Sequence, residues 1–189
     1  YDAAGRVVRV IGYAQALTTA QMSGLSFAAT EAQLLAVVSP QAGKDRATAY
    51  VYDDDGRLVF TLSPTGQVLE NVHDGAGNIV RAIQYATTYA GAPSPTESQL
   101  RTWVSAHAGA ADRVTRAAYD AANRLAWSVN AAGHVTGYAY DGAGKLLRSV
   151  QFTAVYADAG TPSLATMNAW AASNAQTSDR KSHVAYDAA

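Results

Sequence analysis

The chain has 189 residues, 14 basic against 15 acidic side chains and 49% hydrophobic residues, a balance that allows one or two folded domains with a real core and lies away from disorder. A formal net charge of -1 leaves no basic excess to track a phosphate backbone, which argues against nucleic acid as a partner. The absence of cysteine removes disulfide scaffolds, thiolate metal sites and thiol nucleophiles, and no apolar run approaches the roughly 20 residues needed to cross a bilayer.

In chain order, Tyr1-Asp2-Ala-Ala-Gly5-Arg6-Val7 reads as a tight turn. Residues 13–44 form a first helical insert, with Thr30 and Gln33 placed as a capping box. Residues 57–62 and 67–72 alternate in the period-2 manner of strands with one buried face, which puts Leu58, Phe60 and Leu62 on one side. Turns fall at Asp53 to Gly56, Ser63 to Gly66 and Asp74 to Gly77. Each is an Asp, Ser or Asn, two free residues and a Gly, the form of a type I turn whose first side chain accepts a backbone N–H and whose last residue takes positive φ, closing a hairpin with a bulge. A second insert, residues 85–111, holds a helix starting at Thr96 with Gln99 as its capping-box partner and an apolar stripe of Leu100, Trp103, Val104 and His107. Residues 124–129 repeat the strand with Leu125, Trp127 and Val129, turns follow at Asn130 to Gly133 and Asp141 to Gly144, and a third insert, residues 152–178, carries a helix with Met167, Trp170 and Ala171. Three helices are thus predicted, each packing on the sheet or on a neighbouring helix.

These elements recur at a fixed step. Tyr52, Tyr119 and Tyr186, each followed by Asp, are 67 residues apart, as are Asp45, Asp112 and Asp179, and Trp103 and Trp170. A period of this size marks stacked structural units: residues 1–51, 52–118 and 119–185, with 186–189 opening the next. The motif at Tyr1 reappears at Tyr186, so the chain is expected to be a fragment of a longer array. Asn123 stands where other turns have Gly, a substitution the left-handed region tolerates best in Asn.

The motif Tyr-Asp-x-x-Gly-Arg-Leu, read at Tyr52, Asp53, Gly56 and Arg57, at Tyr119, Asp120, Asn123 and Arg124, and at Tyr140, Asp141 and Gly144, resembles the YD repeat of the RHS family. His73 replaces the tyrosine of one copy, and the helical insert departs from the family's nearly uninterrupted hairpins. The resemblance implies large secreted or surface proteins whose hairpins wind into a long sheet. In bacterial toxin complexes such sheets wrap a C-terminal toxic domain, and in teneurins they form part of an adhesion receptor.

The candidate chemistry is sparse. Asp53-Asp54-Asp55-Gly56 lacks the alternating ligands of a calcium loop and reads as a solvated turn. His73, His107, His134 and His183 have no metal-ligand spacing, no serine sits in a strained elbow, and the Gly-Ala-Gly runs precede strands, unlike phosphate loops. The recurrent tyrosines suit either a glycan-binding ladder or register-setting packing, and packing is favoured. The Arg after each turn stacks on these rings or pairs with the turn Asp.

The expectation is therefore a mainly β fold with α inserts, a repetitive hairpin spine without enzymatic activity, cofactor or metal. Its partners would be other repeats of the same chain and other copies, with glycan or cell-surface contact as a further option. The leading reading is a secreted structural segment of a wall, tube or filament. The alternatives are a shell segment around a toxin and a cell-surface adhesin.

Overall fold

The computed structural model describes residues 1–26, 28–41 and 43–186; Asp187, the last motif copy's acid, lies outside the described residues. The elements run β1 (Arg9–Gly12), α1 (Thr19–Ser23), α2 (Glu31–Val37), β2 (Arg46–Tyr52), β3 (Leu58–Leu62), β4 (Gln67–His73), β5 (Ile79–Thr88) and α3 (Glu97–His107). They continue with β6 (Arg113–Tyr119), β7 (Leu125–Val129), β8 (His134–Tyr140), β9 (Leu146–Val155), α4 (Leu164–Asn174) and β10 (Arg180–His183). Among the described residues, ten strands form one antiparallel sheet in strict chain order. Because direction alternates, the Tyr-Asp turns gather at one end of the sheet. The inserts and the short turns at Ser63 and Asn130 gather at the other.

The helices of the second and third inserts, α3 and α4, each close a core laid down by the four strands before them. Leu100 of α3 packs with Ala49, Val51, Phe60, Leu62, Val68 and Tyr85 from β2 to β5. One period later, Met167 of α4 packs with Ala118, Val129, Val135 and Phe152 from β6 to β9. The helices therefore pack on the sheet. Both leave extended Thr96 and Ser163 at their N-caps, whose hydroxyls accept from Gln99 N and Thr166 N, satisfying donors that a helix start otherwise leaves open.

Three expectations change. The first insert carries two helices, because Thr18 and Gln21 form a second capping box there, a signal of the same kind as Thr30 and Gln33. The later inserts start after residues 85 and 152, since β5 runs to Thr88 and β9 to Val155. Strict alternation also fails in β3. Val51 pairs with Phe60 but Tyr52 with Leu58, leaving Val59 as a bulge residue, and a bulge turns two consecutive side chains toward one face. Val59 and Phe60 are accordingly both buried in the first core, while Leu58 stays half-buried outside it. The same slip, at the sixth residue after the motif Asp, recurs in β5, β7 and β9.

Candidate functional site

The motif residues assemble into a ladder of turns along one end of the sheet. In the β2–β3 turn the Asp53 backbone N–H donates to Arg57 O and Gly56 N to Asp53 O, each at 3.0 Å. Asp53 Oδ1 accepts from the Arg57 backbone at 2.8 Å and Oδ2 from Arg57 Nε at 2.8 Å. Asp120 and Arg124 reproduce this lock, and Asp141 accepts from the amides of Ala143 and Lys145. Gly56 and Gly144 have φ of 80° and 83°, and Asn123 has 56°, so the asparagine does occupy the left-handed slot. The backbone amide of Arg124, then its guanidinium, hold the Asp120 carboxyl below its ordinary value against the opposing effect of burial. Asp55 also meets Arg57, at 2.8 Å. These carboxylates act as turn locks.

Three motif tyrosines tie their turns to the one before. Tyr52, Tyr119 and Tyr140 donate their hydroxyls to the carbonyls of Val7, Ile79 and Leu125 at 3.0, 3.1 and 2.9 Å. In every case the acceptor follows the previous motif Asp by five residues. The cation of the previous turn lies over the ring: Arg6 over Tyr52 at 4.6 Å, Arg124 over Tyr140 at 4.9 Å and Lys145 over Tyr186 at 5.0 Å, a favourable placement against the ring quadrupole. Arg6 and Arg124 thus make both contacts, ring and carboxylate, and Arg57 makes the carboxylate contact. Where His73 interrupts the series, Asn71 Nδ2 donates to Leu58 O at 3.2 Å and satisfies the carbonyl a tyrosine would have taken.

At the opposite end, residues that carried no assigned role close the inserts. Asp112 Oδ1 accepts from Ala86 N at 2.9 Å and Oδ2 from Gly109 N at 2.8 Å, joining the strand before the insert to the segment leaving it. Asp179 does the same with Thr153 and Gln176, and Asp45 with Ala14 and Gln41. Their 67-residue recurrence was the available signal. The short turns hold the inserts' first residues: Tyr89 N donates to Gly66 O and Tyr156 N to Gly133 O, at 2.7 and 2.9 Å. A Cβ on Gly133 would lie 2.8 Å from Tyr156 O. Tyr156 is buried against Trp170, and Tyr89 is half-buried against Trp103, in edge-on contacts with ring centroids 5.8 Å apart in both. Both tryptophans are therefore packing anchors.

One set of positions differs between the units as a group. In the first, buried Glu70 accepts from the Tyr85 hydroxyl and faces Arg101 at 3.4 Å, and burial, then that hydrogen bond, pushes the Tyr85 hydroxyl pKa up. In the second, Gly137, Phe152 and Asn168 hold those places and Trp127 replaces Phe60. The Trp127 indole donates to Asn168 Oδ1 at 2.9 Å in the space left by Gly137.

The fold and its joints define a repeat protein whose unit is four antiparallel strands and a helical excursion, held by turn locks at one end and insert closures at the other. Residues 119–154 match the family model described as RHS Repeat. That match spans the Tyr119 and Tyr140 turns. No curated protein matches the chain. Among solved structures it is similar to the TcdB2-TccC3-Cdc42 complex, at 17% identity and a TM-score of 0.44 over 62% of this chain and 6% of that one. It is also similar to TcdB2-TccC3 without its hypervariable C-terminal region, at 18% identity and a TM-score of 0.42 over 60% of this chain and 6% of that one. The chain spans 6% of the length of these structures.

Proposed function

We propose that the chain is a non-enzymatic scaffold segment of a large secreted bacterial protein, in which units of this design stack into an extended β wall, tube or filament. The observation that carries this reading is the pairing order. Among the described residues ten strands follow one another without a crossover, and two cores repeat at one period. Units that recur in this way stack on their neighbours.

The helices support the same reading. The residue four after the N-cap is fully buried in α3 and α4, as Leu100 and Met167, each at 0% exposure, whereas Leu34 of α2 is 43% exposed. The apolar face of α2 fits a four-stranded unit of the β2–β5 kind.

Electron microscopy of the native full-length protein tests the proposal. Open tubes or fibres with a regular axial repeat are the expected result. Closed hollow particles of one size would replace the filament with an encapsulating shell, and dispersed particles with no continuous sheet would overturn both.

A further inference from the structure

Six positions beside the second core carry smaller side chains than their counterparts one period earlier. Glu70, Val72, Ile83, Tyr85, Arg101 and Val104 become Gly137, Ala139, Val150, Phe152, Asn168 and Ala171, while Phe60 grows to Trp127. The indole does not refill all of the lost volume. A pocket of about 230 Å³ opens between β7, β8, β9 and α4, lined by Trp127, Gly137, Ala139, Val150, Phe152 and Ala171. Its two aromatic walls, Trp127 and Phe152, have ring centroids 5.8 Å apart and planes tilted by 49°. Arg148 also lines the pocket, as the one charged residue to do so among the described residues. It is exposed and, among the described residues, no carboxylate pairs with it. Its counterpart is Arg81, so the cation is kept where its neighbours shrink. The first unit supplies a buried carboxylate of its own there, Glu70 facing Arg101; the second has neither group.

We propose that this pocket binds a small aromatic carboxylate, a single ring on a short acid-bearing arm, with the ring against Trp127 and Phe152 and the carboxylate on Arg148. Apolar walls with one placed polar group are the usual make-up of a small-molecule site, and a ring gains from aromatic neighbours beyond the area it buries. The charge fixes the sign of the ligand, because a guanidinium takes a carboxylate through charge-assisted hydrogen bonds. The volume fixes its size. An apolar cavity of about 150 Å³ takes one benzene ring, so this one has room for a ring and a short arm. The site stands on the differences between the two units and is independent of whether the array closes.

The test is a titration of the isotope-labelled full chain with 3-phenylpropanoate at millimolar concentration, followed by chemical shifts of the backbone amides and the Trp127 indole N–H. Saturable changes centred on Trp127, Gly137, Val150 and Ala171 are the expected result, with none from acetate. The neutral 3-phenylpropanamide, and the acid against Arg148→Gln, should each bind about two- to fivefold more weakly, the usual worth of an exposed ion pair. Ala171→Val, which restores the first unit's side chain, narrows the pocket from the helix and should weaken binding by about tenfold or more without changing the thermal melt. Should that variant unfold, Ala139→Val restores the first unit's residue from the sheet. No saturable change, changes centred elsewhere, amide binding as tight as the acid, or binding undiminished in the folded narrowed variants overturns the site.

Discussion

Gly137 and Trp127 illustrate how a position in this molecule is set by its neighbour across the sheet. A Cβ on Gly137 would lie 2.5 Å from the Trp127 ring, so Gly137→Ala should destabilise the chain by roughly 1–3 kcal/mol, the usual cost of overpacking. Trp127→Phe in the same chain should recover much of it, giving a coupling of about 0.5–3 kcal/mol in a denaturant double-mutant cycle. Additive effects would show that the ring is not what excludes the side chain. The turn locks and the insert closure at Asp179 make a second prediction at this scale. Asp2, Asp74, Asp120 and Asp179 all have carboxyl pKa values lowered from 3.8. For Asp2, Asp120 and Asp179 the main cause is a backbone amide, and for Asp74 it is the Asn78 side chain. The unfolded chain therefore binds more protons in acid, so stability is full above the ordinary carboxyl range and is lost as pH falls through 3.8 toward the lower folded values. Urea midpoints measured against pH should fall in that window, and Asp120→Asn should make the fall shallower.

The helix is the element whose contribution depends most on its surroundings. Leu100 and Leu34 stand at the same place in equivalent helices, yet only Leu100 has a sheet beneath it. Leu100→Ala should cost about 2–5 kcal/mol, the transfer term plus a cavity. Leu34→Ala should stay within about 0.5 kcal/mol in the chain as it stands. Equal losses in thermal or chemical melts would mean that α2 is already packed. The helix starts at Thr30 and Thr96 were legible in the sequence because these residues bond within their own first turn, so no distant partner is needed to read them; Thr18 carries the same signal and was missed. The strand bulges were not legible. Alternation in residues 57–62 is equally compatible with Leu58 facing the core, and only the pairing of Tyr52 with Leu58 shows that Val59 takes that face instead.

Across the whole molecule, two cores in series and exposed outer strands imply a graded resistance to opening. Amide exchange should be slowest in β3, β4, β7 and β8, whose neighbours on both sides are paired and whose core faces are covered, and fastest in β1 and β10. Uniform protection from end to end would indicate that the outer strands are covered in solution. Repeat units of this kind draw most of their stability from their own core and the next unit's edge, so the protection profile also measures how much each joint contributes.

By itself the sequence determined the 67-residue period, the turn positions, the left-handed slot at Asn123, the helix caps at Thr30 and Thr96 and the pairing of motif Arg with ring or carboxylate. All of these rest on hydrogen bonds and steric limits within a few residues, or on a period visible by inspection. Only the tertiary structure decided which strands each helix covers and which carbonyl each tyrosine reaches in the preceding turn. It also decided why Glu70 and Gly137 can occupy equivalent places. Those contacts join residues as far apart as 45 positions, as Tyr52 and Val7 are, and depend on register, bulges and sheet curvature, which no local pattern encodes.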